Sequence, residues 1–312
     1  YCKPTVKFRF AVKSGLTIAH RLCYNKCVVY FCFLRHRLPR RKVASSMRFS
    51  NMHQHSTFSD GADPMEAVVQ SAIARNFVSL GFSDHSFTPC DTSYCMKLER
   101  YNAYLAEIAR LRDQYADRLE VLAGLELDYF SEADRSRFDY WIASVHYLIL
   151  NDTCYPIDHS RPQQLSCIAN SCGSSKLEFA KRYYDLVVRN VTRSKPDIVG
   201  HFDVITKFGI MDEDDPAYRR VALEALDEVL QICPRIEMNT GAISRGVRQT
   251  PYPNVFLLRR VREKGGEVIL SSDSHRADTI DCAFPECVAT LRTLGFDHIV
   301  QLRKDGFHSV AI

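Results

Sequence analysis

From residue 47 onward, short apolar runs rich in β-branched residues alternate with longer stretches whose apolar positions recur at helical spacing. The runs predict strands over 48–52, 77–82, 119–125, 140–145, 197–200, 235–238 and 267–271. Helical periodicity lies between and after them, over 64–75, 97–115, 175–191, 216–232, 253–264 and about 279–293. Asp63 stands as N-cap of the first helix, with Pro64 at the first helical position, where its missing N–H costs nothing. Gly265-Gly266 stops the helix before the last strand. No repeat, low-complexity run or linker interrupts this alternation. One β/α barrel accounts for it, with the strand ends converging on a single mouth.

Composition changes little about residues 47–312 and much about what precedes them. The chain has 312 residues, 46 % hydrophobic and 25 % charged, with a net charge of +4. Residues 1–46 hold five Lys and six Arg and no acid, so they carry +11 and leave the remainder at −7. The basic character therefore belongs to this segment and does not indicate nucleic-acid binding. Its apolar stretch, Cys27 to Leu34, is too short to span a bilayer. The charge-before-apolar order of a secretory signal is missing. We read 1–46 as a basic N-terminal extension, disordered or not native to the folded unit, with Met47 as the working start. A targeting segment is the alternative, and a small site from Cys23, Cys27, Cys32 and His36 matches no common zinc spacing. The other eight cysteines form no C-x-x-C pair and read as reduced thiols of a cytoplasmic enzyme.

The chemistry sits at strand ends. His53, His55 and Asp60 follow the first strand, His85 the second, Glu126 the third, His146 the fourth and His201 the fifth, while Asp273 and His275 follow the seventh. Imidazole and carboxylate are the ligands that borderline and harder divalent ions share. Each motif has a plainer reading when alone. His53-Gln54-His55 can be surface histidines, Asp84 before His85 a helix N-cap, His146 a core histidine, and Ser272-Asp273-Ser274-His275 a polar loop. Gly200 can serve a turn, or leave space near an ion at His201. Jointly the plain readings fail: of seven histidines between 53 and 275, only His159 lies away from a predicted strand end. A set of nine exceeds what one ion takes, so two or three ions are expected, which is hydrolytic equipment.

These runs, with Ser83-Asp84-His85, Gly124-Leu125-Glu126, Ser144-Val145-His146, Gly200-His201-Phe202-Asp203 and Glu237-Met238-Asn239-Thr240-Gly241 ahead of Arg245, resemble the PHP (polymerase and histidinol phosphatase) superfamily. More narrowly, they are similar to its monofunctional histidinol-phosphatases, over residues 47–312. The resemblance implies a distorted (β/α)7 TIM-like barrel with two or three divalent ions, Zn, Mn or Fe. It implies one ion at His53, His55, Glu126 and Asp273, and a second at Glu126, His146 and His201. A third falls to Asp60, His85 and His275. It further implies hydrolysis of a phosphomonoester, L-histidinol phosphate, in histidine biosynthesis. Asp273 and His275 are then the candidates for proton transfer to the leaving alkoxide. Arg245 and Lys207 would receive the phosphate, an arginine fork bidentately and a lysine as a point charge. Asp158, in the long loop 149–172, would meet the substrate amine.

Other functions remain in view. A PHP phosphoesterase on another small phosphate or a nucleotide shares every residue named. A metal-dependent amidohydrolase also opens with H-x-H, but such barrels bridge their ions with a modified lysine, and Glu126 stands in that place. A non-catalytic metal binder is at odds with a complete set of nine. Neither a nucleic-acid nor a membrane partner is expected.

Overall fold

The computed structural model describes residues 47–312, so the expectations placed on 1–46 lie outside the described residues. These described residues form twelve strands and eight helices. The strands are β1 (Ser50–Asn51), β2 (Ser79–Phe82), β3 (Glu120–Ala123), β4 (Glu126–Asp128), β5 (Ile142–Ser144), β6 (Tyr147–Leu150), β7 (Thr153–Pro156), β8 (Ile198–Val199), β9 (Arg235–Asn239), β10 (Glu267–Ser271), β11 (His298–Arg303) and β12 (Gly306–Ala311). The helices are α1 (Met65–Ala74), α2 (Tyr101–Gln114), α3 (Arg161–Ser171), α4 (Lys176–Ser194), α5 (Pro216–Leu230), α6 (Gly241–Ser244), α7 (Val255–Glu263) and α8 (Phe284–Thr293). All seven predicted strands and six predicted helices have counterparts.

The ladder is not one closed barrel. β1, β2 and β3 form a parallel three-stranded sheet. β4, β5, β8, β9, β10 and β11 form a second parallel set, with β12 antiparallel at its edge. The predicted third strand breaks at Gly124-Leu125, so β3 pairs with β2 while β4 moves on to β5. Tyr140 explains the break: its hydroxyl donates to the Met52 carbonyl at 2.6 Å. Its ring fills the space that a Cβ on Gly81 or Gly124 would need, 2.1 and 2.2 Å from its nearest atoms. Between the sheets run isolated parallel bridges, Gln54 to Ser274 and His85 to Glu126. The class established is mixed α/β.

Apolar side chains divide into two cores. A small one gathers Met52, Leu122, Tyr140, Ile142, Ile198, Ile269, Val300 and Leu302, drawn from strands of both sheets. The larger one packs the other strand face against the helices and is rich in fully buried aromatics such as Tyr104, Tyr183 and Phe284. Burying a side chain of this size contributes about 1.5–3 kcal/mol, so these contacts hold the strands that carry the polar site.

Several expectations change. Asp63 does not cap α1, whose N-cap is Pro64; the Asp63 carboxylate accepts from the Ala277 amide instead. Gly200 serves close packing, because a Cβ there would meet Ser144 Oγ at 2.4 Å. Loop 149–172 is mostly ordered structure, the β6–β7 hairpin followed by α3. The β11–β12 hairpin was not expected at all. Cys90 and Cys154 form a disulfide (Cα–Cα 5.9 Å), against the expectation of thiols alone, while six described cysteines are free. The pair is 64 residues apart and is brought together by the fold, which no spacing rule detects. It also removes the argument from thiols for a reducing compartment. No helix among the described residues is long and apolar enough to cross a membrane.

Candidate metal centre

All nine sequence-predicted ligands meet in one cluster, with Glu126 as its hub. Glu126 Oε1 lies 2.9 Å from His201 Nε2, 3.2 Å from His146 Nε2 and 3.3 Å from His53 Nε2. Its Oε2 lies 2.7 Å from His85 Nδ1 and 3.6 Å from His55 Nε2. Asp273 Oδ1 is 3.2 Å from His55 Nε2 and 3.8 Å from His53 Nε2. Asp60 Oδ2 is 3.1 Å from His275 Nε2 and 3.7 Å from His85 Nε2. His53 and His55 flank Gln54, which bridges in parallel to Ser274 beyond the end of β1, and alternate positions of such a chain face the same side.

Four overlapping sets offer ligand atoms within 4.8 Å of one another: His55, Asp60, His85 and His275; His53, Glu126 and His201; His53, His55 and Asp273; and His85, Glu126 and His146. They overlap the implied groupings but share members differently. His146 and His201 fall into separate sets around Glu126, and His55 joins the Asp60 set as well as the Asp273 set.

The donors fit divalent cations. His53 Nε2 and both ring nitrogens of His55 are buried without a hydrogen-bond partner. Each such orphan costs about 1–3 kcal/mol, and a cation bound to them removes that cost. Burial and the neighbouring His275 and His85 push His55 down to about 3, so it is a neutral imidazole with a lone pair to give. For Glu126, burial works against ionisation, but His85, His53 and His146 outweigh it and hold the carboxyl well below its usual range. Asp273 is likewise ionised in spite of burial, held by Arg245 and His53.

Side chains behind the ligands set their directions. Asp84 is fully buried and accepts from the amides of Ser56 (2.9 Å) and Ser59 (3.0 Å) and from both serine hydroxyls. It thereby folds the loop that turns Asp60 back toward the strand ends, and caps no helix. Asp128 lies 3.3 Å from His146 Nδ1, and Glu237 lies 2.6 Å from His53 Nδ1. Neither Asp84 nor Glu237 was among the predicted site residues. For Glu237 the available signal was an acid between Ile236 and Met238, inside a strand that reads as buried. Asp273 has φ +44°, a left-handed conformation that a non-glycine residue adopts at a cost of order 1–3 kcal/mol.

Beside the cluster opens a cleft of about 360 Å³, lined by Asp60, His85, His146, His201, Asp273 and His275 among others. Arg245, Lys207 and Asp158 also line it. Arg245 Nη1 donates to the Asp273 carbonyl (3.1 Å) and its Nη2 lies 3.2 Å from Asp273 Oδ2. Lys207 Nζ is 3.1 Å from Asp158 Oδ2, and burial of Asp158 is outweighed by Lys207 and by His146 and His201, so it stays ionised. Tyr94 and Tyr147 line the cleft too; Tyr94 meets the His85 ring edge-on at 4.7 Å and stacks near Tyr147 at 6.2 Å.

A buried cluster of imidazoles and carboxylates at parallel strand ends, opening on a cleft with an arginine and a lysine, defines a metal-dependent hydrolase of the α/β class. The PHP domain model matches residues 51–241. A protein of Deinococcus radiodurans named probable histidinol-phosphatase is 32 % identical over 236 residues, covering 72 % of this chain and 85 % of that protein. The histidinol-phosphatase of Bacillus subtilis is 24 % identical over 260 residues, 74 % of this chain and 95 % of that one. Among solved structures, the Lactococcus lactis histidinol phosphate phosphatase complexed with zinc, L-histidinol and phosphate superposes with a TM-score of 0.65 at 20 % identity, covering 84 % of this chain and all of that one. The chain belongs to the PHP family, among its histidinol-phosphatases.

Proposed function

We propose that this protein hydrolyses L-histidinol phosphate to L-histidinol and phosphate, and that the nine clustered side chains hold the two or three divalent ions, Zn, Mn or Fe, on which hydrolysis depends. The observation that carries this reading is the convergence of nine donors, several of them buried orphans, on a cleft that also presents Arg245 and Lys207. His53, His55 and Asp273 would hold one ion, Glu126 with His146 and His201 another, and Asp60 with His85 and His275 a third. When bound, such ions supply Lewis acidity and neutralise phosphoryl charge.

The chain's own groups do the rest. Arg245 presents two nitrogens in a rigid fork suited to two phosphoryl oxygens. Lys207 and Asp158 set a cation and an anion side by side in the cleft, the lysine for phosphate and the carboxylate for the substrate's ammonium. Asp273, held ionised, would take a proton from the attacking water before passing one to the leaving alkoxide, and His275 is the second candidate for that transfer. The frame in this reading is a distorted barrel, its interior filled by the small core and its circuit completed through the isolated bridges. The substrate is a small molecule, with no nucleic-acid or membrane partner, and the setting is cytoplasmic biosynthesis.

Phosphate release from histidinol phosphate, compared with nucleoside monophosphates, tests the reading. Chelator should abolish release, Zn or Mn should restore it, and histidinol phosphate should be preferred. Turnover that survives chelation, or a preference for nucleotides, would overturn it.

A further inference from the structure

We infer that Glu237 is a positioning residue that fixes the tautomer of His53, keeping its proton on Nδ1 so that Nε2 faces the cluster with a free lone pair. The inference rests on the metal-dependent reading above and deepens it.

Glu237 is fully buried in β9, and its two oxygens have different duties. Oε1 accepts from the His201 amide at 3.1 Å and from the Asn239 side-chain amide. Both donors have a fixed sense. A backbone N–H can only donate, and the Asn239 amide is oriented by its own oxygen, which accepts from the Gly241 amide at 2.8 Å. Oε2 lies 2.6 Å from His53 Nδ1. With Oε1 taken up by two fixed donors, the carboxylate's Oε2 serves as the acceptor and Nδ1 as the donor. Once a metal ion displaces any second proton, His53 has a bare Nε2, directed at Glu126 Oε1 (3.3 Å) and Asp273 Oδ1 (3.8 Å), which are themselves acceptors. Those three atoms form one face on which a cation would be held.

The consequence concerns glutamine, the substitution closest in shape. In Glu237→Gln the new side-chain amide would have to turn its oxygen toward the two fixed donors and its NH2 toward His53. His53 would then accept at Nδ1 and carry its proton on Nε2, the atom that must bind metal. Alanine at this position leaves the tautomer free, although it strands the His201 and Asn239 donors. A merely structural role predicts alanine as the worse change; the tautomer role predicts glutamine as at least as harmful.

Zinc affinity of the purified protein, by competition with a chelating dye, separates the two. Glu237→Gln should weaken zinc binding by about ten- to a hundredfold, and by no less than Glu237→Ala. Nitrogen-15 NMR of the histidine rings in zinc-loaded wild type should show His53 protonated on Nδ1, and this decides the matter even if a variant does not fold. Zinc affinity of Glu237→Gln within about twofold of wild type, a larger loss in Glu237→Ala than in Glu237→Gln, or His53 protonated on Nε2 would each overturn the inference. Because no readout uses substrate, a mistaken substrate assignment would leave these results standing.

Discussion

Where the strands begin, charged side chains find opposite charges within the protein. Glu120, first residue of β3, accepts from Arg303 Nε at 3.0 Å and from the Lys304 amide at 2.9 Å. Asp197, just before β8, accepts from Arg135 at 2.7 Å and from the Trp141 amide at 3.0 Å. At the other side, Asp60, Asp128 and Asp273, with Glu126 just past β3 and Glu237 within β9, crowd together with six histidines, and Arg245 reaches them through Asp273. Carboxylates there point at imidazole nitrogens that have no hydrogen-bond partner. One end is electrostatically complete and holds the fold. The other is complete only with cations, so its side chains answer to function and lower the stability of the protein without them.

That contrast can be broken most sharply at His201. Replacing it with alanine removes a donor 2.9 Å from the Glu126 hub. Phosphatase turnover should fall by more than the ~100-fold typical of losing a group one layer behind a metal ligand. The metal-free protein should still fold and stay soluble, since the change removes a buried orphan nitrogen along with the ring. Steady-state kinetics together with a melting curve check both halves, and unchanged turnover would remove His201 from the site.

A smaller loss is expected at Arg245. Lysine keeps the positive charge but has no planar fork, so it cannot meet two oxygens in fixed geometry. A charge-assisted hydrogen bond contributes about 1.5–3 kcal/mol, and kcat/KM for histidinol phosphate should drop about 10- to 100-fold in Arg245→Lys. An unchanged kcat/KM would make Arg245 a brace for Asp273 and nothing more.

The same contrast explains what could be read from the residues alone. The nine clustered side chains were legible because each follows a strand, and parallel strands bring their ends together whatever the closure of the sheet. Closure itself was not legible: the gap between β3 and β4 depends on Tyr140 lying across Gly81 and Gly124, a contact between residues 59 and 16 positions apart in sequence. Asp84 and Glu237 stood in quoted motifs yet drew no site role, because their duty is toward other groups of the protein, which residue pattern alone does not show. The cleft wall was least legible. Its hairpin, α3 and the Cys90–Cys154 link arise from a segment with weak strand and helix signals, whose order comes from packing against α4 and the loop after β2.

The smallest effect belongs to the electrostatically complete end. Glu120→Gln removes the charge facing Arg303, in a pair that is partly solvated, and should cost under about 1 kcal/mol at neutral pH. The sign of its pH dependence is fixed. Burial works against ionisation of Glu120, but the hydrogen bonds from Arg303 and Lys304 outweigh it and hold the folded carboxyl below its ordinary value. The contribution is therefore fully present above the unfolded value of about 4.3 and fades as pH falls through the lower folded value. Wild type and variant should differ in denaturant midpoint at pH 7 and converge in acid, with identical phosphatase kinetics. A change in turnover would mean that the two ends of the strands are coupled, and the division of labour drawn between them would fail.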